Sequence, residues 1–155
     1  MILISHRGNL NSPDPETENT LEQINKVIDM GYHCEIDVWV MEGKLYLGHD
    51  KEKLTEINLS DIINARLWIH CKNIQAVHYF TNLVFFNNDQ SRTFHCFFHQ
   101  NDPIAITSHG YLWTSPGHEL TTKSIAVLPE LKPNWYFVEG AGICSDYITR
   151  YESFL

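Results

Sequence analysis

The chain has 155 residues, enough for one domain with a hydrophobic core, and we assign that domain to residues 1–155. Eleven basic residues against nineteen acidic ones give a net charge of −8, which argues against nonspecific binding of nucleic acid by a basic surface. The sequence shows no polybasic run, signal-peptide pattern or apolar run of about 18 residues, so we expect a cytoplasmic protein without membrane insertion.

Short apolar or alternating segments, bounded by turn-forming residues, predict strands along the whole chain. In chain order these segments are 2–4, 33–40, 45–47, 66–72, 93–99, 103–107, 111–114, 124–128, 135–138 and 143–147. A tight turn at Glu42 and Gly43 predicts that the second and third segments form a hairpin.

Helical spacing of apolar residues is confined to the first half of the chain. It predicts a helix from residue 21, which Asn19 or Thr20 can cap and which stops at Gly31. A helical patch follows at 59–63, and a short helix is predicted over 73–81. Later connections are too short for regular helices, so we expect strands to dominate there.

Four cysteines lie inside apolar, strand-like segments and form no C-x-x-C pair. They are Cys34, Cys71, Cys96 and Cys144. We expect buried free thiols, with zinc ligation or disulfides as the alternative.

Glu35 and Asp37 share one face of the predicted second strand, because side chains in a strand have a period of two. Two carboxylates on one face repel each other and stay ionised together only if a cation lies between them. The pair is therefore a candidate site for a hard metal ion with oxygen ligands. The alternative is that both are polar residues on the solvent face of an edge strand.

Histidines and basic residues follow the same strands. His6 and Arg7 come at the end of the first strand, and His49 follows the hairpin. Histidine accepts and donates protons near neutral pH, as phosphodiester cleavage requires of two groups. Arg7 can offer a planar fork to phosphate oxygens, and Lys72 can add a point charge from the face of the third strand that also carries His70.

Four motifs occur in one order within the first fifty residues. They are HRG at 6–8, ENT at 18–20, E-x-D at 35–37 and G-x-L-x-x-G-H-D at 43–50. This order resembles the N-terminal signature of the glycerophosphodiester phosphodiesterase family, within the superfamily of phospholipase C-like phosphodiesterase TIM barrels. Weaker similarities occur at 67–72, 110–114 and 142–147.

The resemblance implies an α/β fold, a compact TIM-type (β/α)8-like barrel. Because 155 residues are far fewer than the ~250 usual for that fold, several outer helices would be shortened or missing. Barrel surface left uncovered would favour a homodimer.

The resemblance also implies roles for the site residues. His6 and His49 match the catalytic pair, Glu35 and Asp37 the metal ligands, and Lys72 the lysine of the family's E-x-K motif. Glu18 matches the glutamate of the family's P-E-N-T motif, and we expect it to orient Arg7 or a metal-bound water.

His70 is the main departure from the family's pattern, because it stands where the third carboxylate ligand would be. Imidazole can bind a divalent ion, so we assign Glu35, Asp37 and His70 as the ligands of one divalent metal. Magnesium, calcium or manganese is expected, and zinc also fits because an imidazole shifts the preference away from the hardest ions.

The sequence therefore predicts a metal-dependent phosphoric diester hydrolase of lipid metabolism, which acts on a small glycerophosphodiester-like substrate by acid–base catalysis with His6 and His49. One alternative is a catalytically weakened pseudoenzyme that binds phosphate ligands, because position 70 is not acidic. The other is a lyase that forms a cyclic phosphate. The sequence does not decide which histidine is the acid and which the base.

Overall fold

The computed structural model describes residues 1–86, 94–135 and 139–154. Its strands are β1 Ile2–His6, β2 His33–Met41, β3 Lys44–Leu47, β4 Thr55–Ile57, β5 Leu67–Cys71, β6 His95–Phe97, β7 Ile104–Ile106, β8 Leu112–Thr114, β9 Ser124–Val127 and β10 Gly142–Ser145. Its α-helices are α1 Leu21–Asp29 and α2 Ile74–Phe86, and 3₁₀ helices occur at Leu59–Ile62, Pro129–Leu131 and Ile148–Phe154.

The expected (β/α)8-like barrel is wrong. The strands form one mixed, curved sheet, a half-barrel, whose parallel part runs in the order β6-β5-β2-β1-β10-β9-β8. β3, β4 and β7 join this sheet in antiparallel pairs. A (β/α)8 barrel needs a helix after every strand. Here, among the described residues, α-helices follow only β1 and β5, and the remaining connections hold at most a 3₁₀ helix.

The predicted local elements are mostly confirmed, although the architecture is not. The first helix is present, and the Thr20 hydroxyl caps it by accepting a hydrogen bond from the Gln23 N–H. The hairpin of β2 and β3 turns at Glu42 and Gly43 as predicted. β4 was not predicted, and residues 136–138 of the expected strand 135–138 lie outside the described residues.

Hydrophobic residues pack on both faces of the sheet, which is why the parallel strands are nearly all apolar. On the convex face, Ile24 and Val27 of α1 and Phe80 of α2 pack against the sheet. On the concave face, Trp68 of β5 packs with Phe97 and Trp113, whose ring centroids lie 4.4 Å apart. The concave core fills the amino-terminal part of the half-barrel and leaves the carboxyl ends of the strands open.

All four cysteines are free and buried, as predicted. No helix among the residues that the structure describes is long and apolar enough to cross a membrane.

Candidate functional site

A cavity of about 450 Å³ opens at the carboxyl ends of the parallel strands. Such a position is where ligands bind in open α/β sheets, because side chains that follow several strands converge there. Most of the residues singled out from the sequence line it: His6, Arg7, Glu35, His49, His70 and Lys72. Asp37 contacts Arg7, His70 and Lys72 without lining the cavity itself, and Phe98, Trp113, Pro116 and Leu128 form another part of the lining.

Glu35 and Asp37 are almost fully buried, with 2% and 1% of their surface exposed. The alternative of two solvent-facing polar residues on an edge strand is therefore wrong, since β2 is a central strand with β1 on one side and β5 on the other. Parallel pairing places His70 directly opposite Asp37. Buried carboxylates require compensating partners, and these partners define the site.

Asp37 has the densest set of partners. Its carboxylate lies 3.0 Å from His70 Nδ1, 3.3 Å from Lys72 Nζ and 3.1 Å from Arg7 Nε. Asn19 donates to the same carboxylate at 3.0 Å and accepts from the Asp37 N–H at 2.9 Å. Asp37 is therefore held as an ion by two permanent cations, so part of the charge of Arg7 and Lys72 is already neutralised.

The pKa values of the two carboxyl groups move in opposite directions. Burial, and then the negative charge of Asp37, raise the pKa of Glu35. Burial acts on Asp37 too, but the hydrogen bond from His70 and the charges of Lys72 and Arg7 outweigh it and hold the Asp37 pKa well below its usual range. Glu35 is thus the carboxylate whose negative charge the neighbouring cations do not fully compensate.

Arg7 links the loop after β1 to both carboxylates. Its backbone has φ +55°, an uncommon left-handed conformation for a residue with a side chain, and it turns the Arg7 N–H to donate to Glu35 Oε2 at 3.2 Å. Arg7 Nη1 lies 3.4 Å from Glu18, which is placed where it can orient the guanidinium. Arg7 Nε is buried and makes no aligned hydrogen bond although Asp37 is near.

His6 forms a dyad with Asp146, a residue that our sequence reasoning did not select. His6 Nδ1 donates to Asp146 Oδ1 at 2.7 Å, and His6 Nε2 lies 3.9 Å from Glu35 on the cavity side. Burial lowers the pKa of His6, but the hydrogen bond to Asp146 and the charge of Glu35 outweigh it, so the pKa is raised. The hydrogen bond fixes the ring and leaves Nε2 available at the cavity.

His49 lies at the rim of the cavity, apart from this buried network. Its side chain is 40% exposed, and its Nδ1 lies 2.8 Å from the Asp50 carboxylate. The structure therefore places His49 on the same cavity as His6 without direct contact between the two rings among the described hydrogen bonds and ring contacts.

The donor set of Glu35, Asp37 and His70 fits a divalent cation. One possible ligand atom from each residue lies within 4.8 Å of the others. His70 stacks against both Phe97 and His99, at centroid distances of 5.0 and 4.6 Å, which fixes the plane of its ring. The side chains joined by these hydrogen bonds and ion pairs also include two more carboxylates than permanent cations. The carboxylates are Glu18, Glu35, Asp37 and Asp146, and the cations are Arg7 and Lys72. A divalent cation would balance this difference.

The site also contains three residues that the sequence pattern did not single out as site residues: Asn9, Asn19 and Asp146. Asn9 donates to both Glu18 and Asp146 at 2.8 Å and so ties the ends of the network together. A signal for Asp146 was present, because it directly follows β10, at the same edge of the sheet as His6, the last residue of β1. Asn19 had been considered only as a helix cap, a role that Thr20 fills.

No protein-family model matches this sequence, and no curated protein or solved structure is significantly similar to it. The function is therefore argued from the residues of the site and their geometry.

Proposed function

We propose that this chain is a metal-dependent phosphodiesterase that hydrolyses a small, glycerophosphodiester-like substrate. The observation that carries the proposal is the convergence of three motifs, distant in sequence, on one cavity: His6-Arg7 at the end of β1, Glu35-x-Asp37 on β2 and His70-x-Lys72 at the end of β5. The order of the N-terminal motifs, which resembles that of glycerophosphodiester phosphodiesterases, supports the same activity.

Glu35, Asp37 and His70 would hold the cation, and Glu35 has the strongest need of one. A bound divalent ion would neutralise charge on the phosphate and make phosphorus more susceptible to attack. The imidazole of His70 would bind it only in its neutral form. We propose magnesium, calcium, manganese or zinc, because two carboxylates and an imidazole accept any of these.

Arg7 and Lys72 would bind the phosphate from the side of β1 and β5. Both keep N–H donors beyond those that face Asp37, since a guanidinium has five and an ammonium has three. Their positions relative to Asp37 are set before substrate arrives, so little reorganisation is needed when charge develops in the transition state.

His6 would exchange a proton with the reacting oxygen through Nε2. Asp146 holds Nδ1, stabilises the protonated ring and keeps Nε2 directed at the cavity. His49, at the rim, would exchange the second proton with the oxygen on the other side of phosphorus. Its exposure suits a group that meets a departing alcohol near solvent. The substrate we propose is a small cytoplasmic phosphodiester.

The proposal is tested with purified protein stripped of metal and assayed on bis(p-nitrophenyl) phosphate and on a glycerophosphodiester. We expect turnover that depends on added manganese, magnesium, calcium or zinc, and a loss of roughly a hundredfold or more in His6→Ala. His118→Ala, a change at an exposed loop histidine, is the matched control and should leave the rate unchanged.

Phosphorus NMR of the products distinguishes the alternatives. A phosphomonoester would support hydrolysis, and a cyclic phosphate would replace it with the lyase reaction. Absence of turnover with every metal, despite retained phosphate binding, would identify a phosphate-binding pseudoenzyme and refute the proposed activity.

A further inference from the structure

Glu130 contacts the residue that holds His6. It lies in the 3₁₀ helix that follows β9, and its carboxylate accepts two hydrogen bonds. One comes from the Asp146 N–H at 3.0 Å and the other from the Ser145 hydroxyl at 2.9 Å. Asp146 is thus held at two points, because its side chain binds His6 and its backbone binds Glu130.

The Ser145 hydroxyl extends this support along the chain. Ser145 is fully buried, and its oxygen accepts from the Tyr147 N–H at 2.9 Å while its proton is donated to Glu130. The residues immediately before and after Asp146 are therefore tied to the same carboxylate, one of them directly and the other through the hydroxyl. The backbone position of Asp146 depends on Glu130 from both sides.

The turn that carries Glu130 is itself fixed by local contacts. Leu128 has φ +46°, a left-handed conformation that is uncommon for a residue with a side chain, and its N–H donates to the Cys144 carbonyl at 2.7 Å. Such a conformation persists only where the surrounding structure determines it. Pro129 follows at the first position of the 3₁₀ helix, where its ring fixes φ. Glu130 is therefore presented to Asp146 by a segment with little freedom to move.

The dyad needs this support because its two members come from different strands. β1 and β10 pair with Ser5 opposite Ser145, so the residues that follow, His6 and Asp146, start from adjacent positions. Strand pairing brings the two side chains near each other, but Asp146 itself lies beyond the last residue of β10. A contact outside the sheet must therefore hold its backbone, and Glu130 provides that contact.

We infer that Glu130 is a positioning residue for His6, which acts through Asp146 by its hydrogen bonds and not by its charge. Glu130 does not line the cavity of the candidate site, so it is not a catalytic residue. By holding Asp146 it fixes the proton of His6 on Nδ1 and leaves Nε2 directed at the cavity. The inference rests on the proposed role of His6 in turnover, but the tautomer of His6 can be measured without turnover.

The variant Glu130→Ala removes both acceptors and tests the inference in two ways. Nitrogen NMR of metal-free, histidine-labelled protein, at a pH where His6 is neutral, shows which ring nitrogen carries the proton, and His6→Gln identifies the His6 signals. We expect the proton on Nδ1 in the unaltered protein and partly on Nε2 in Glu130→Ala. We also expect kcat on bis(p-nitrophenyl) phosphate to fall by roughly tenfold to a hundredfold with little change in KM, because His6 is misplaced in the transition state.

The variant Glu130→Gln separates position from charge. Its amide oxygen can accept from the Asp146 N–H, and its amide nitrogen can donate to the Ser145 hydroxyl oxygen. It should therefore restore the Nδ1–H tautomer and most of the turnover that Glu130→Ala loses. Glu119→Ala, at an exposed loop glutamate, is the matched control and should change neither quantity.

The inference is overturned if Glu130→Ala keeps the tautomer and kcat of the unaltered protein, or if Glu130→Gln is as impaired as Glu130→Ala. If the unaltered protein shows no turnover, the hydrolase proposal fails, and the tautomer still decides whether Glu130 positions His6. Should Glu130→Ala not fold, Glu130→Asp takes its place, because the shorter side chain cannot reach both donors. An unchanged tautomer in that variant would equally overturn the inference.

Discussion

Replacing Asp146 with asparagine should destabilise the protein in a way that depends on pH, because Asp146 holds His6 through a hydrogen bond of 2.7 Å. The two side chains are only 14% and 13% exposed, so solvent screens their interaction little. A hydrogen bond to a charged group is worth about 1.5–3 kcal/mol. In a domain of this length that corresponds to a fall in Tm of roughly 3–12 °C.

The sign of the pH effect follows from the two pKa shifts. The His6 pKa is raised above its ordinary 6.5, so its contribution to stability is present below that pH and is lost as pH rises through the folded value. The Asp146 pKa is lowered from 3.8, so its contribution is lost only at more acidic pH. The difference between unaltered protein and Asp146→Asn should therefore be largest near about pH 5 and smaller near about pH 8.5.

Denaturant unfolding of metal-free protein at these two pH values measures the difference, and an NMR titration of His6 should show a lower pKa in the variant. Asp29→Asn, at the exposed end of α1, is the control and should change neither quantity appreciably. We also expect turnover to fall by roughly a hundredfold, because Nδ1 loses the carboxylate that orients the ring. Equal destabilisation at both pH values, with an unchanged His6 pKa, would show that no ion pair forms.

The two ligand carboxylates should respond differently to neutral amides. Glu35→Gln should abolish binding of manganese in calorimetric titration yet keep or raise the stability of the metal-free protein, because its charge is poorly compensated. Asp37→Asn should abolish binding and also cost about 3–5 kcal/mol in denaturant unfolding, since it leaves buried cations unpaired. His49→Ala should reduce turnover about a hundredfold with little change in stability, given its exposure. Gly48→Ala should cost about 1–3 kcal/mol, because φ is +145° and the added Cβ would clash with the backbone oxygen of Lys53.

A specific experimental result would contradict each of these expectations. Equal stability losses in Glu35→Gln and Asp37→Asn would contradict the unequal charge compensation. Full activity in His49→Ala would remove that residue from the proton transfers. Glu119→Gln, at an exposed loop residue, provides a baseline for the stability measurements. A Gly48→Ala protein as stable as the original would mean that the hairpin end can rearrange.

Much of the candidate site was predictable because the position of a side chain at a strand end follows from the residues next to it in the sequence. The period of two placed Glu35 with Asp37 and His70 with Lys72, and the apolar run before His6 marked the end of β1. Glu18 was expected beside Arg7 and lies there. Each of these predictions needed only neighbouring residues in the sequence.

The architecture was not predictable by the same means, since it depends on how distant strands pair. The motifs resembled those of a (β/α)8 barrel, but among the described residues the connections after β6 hold no α-helix, and β7 pairs antiparallel with β8. Asp146 was missed because its partner His6 lies 140 residues away. The exposure of the His49 side chain depends on where the hairpin of β2 and β3 ends in the fold. The residues next to His49 in the sequence do not indicate it.

The pairing of β1 with β10 also bears on how the protein is made. On a ribosome that adds about 5–20 residues per second, β1 would wait on the order of 10 s before β10 has been translated. Throughout that interval Leu3 and Ile4, which are buried in the folded protein, would have no strand paired with them on the side that β10 later occupies. Nascent chains of this protein should therefore be targets for chaperones that shield apolar strands, and the dyad of His6 and Asp146 can assemble only after both β1 and β10 have been synthesised.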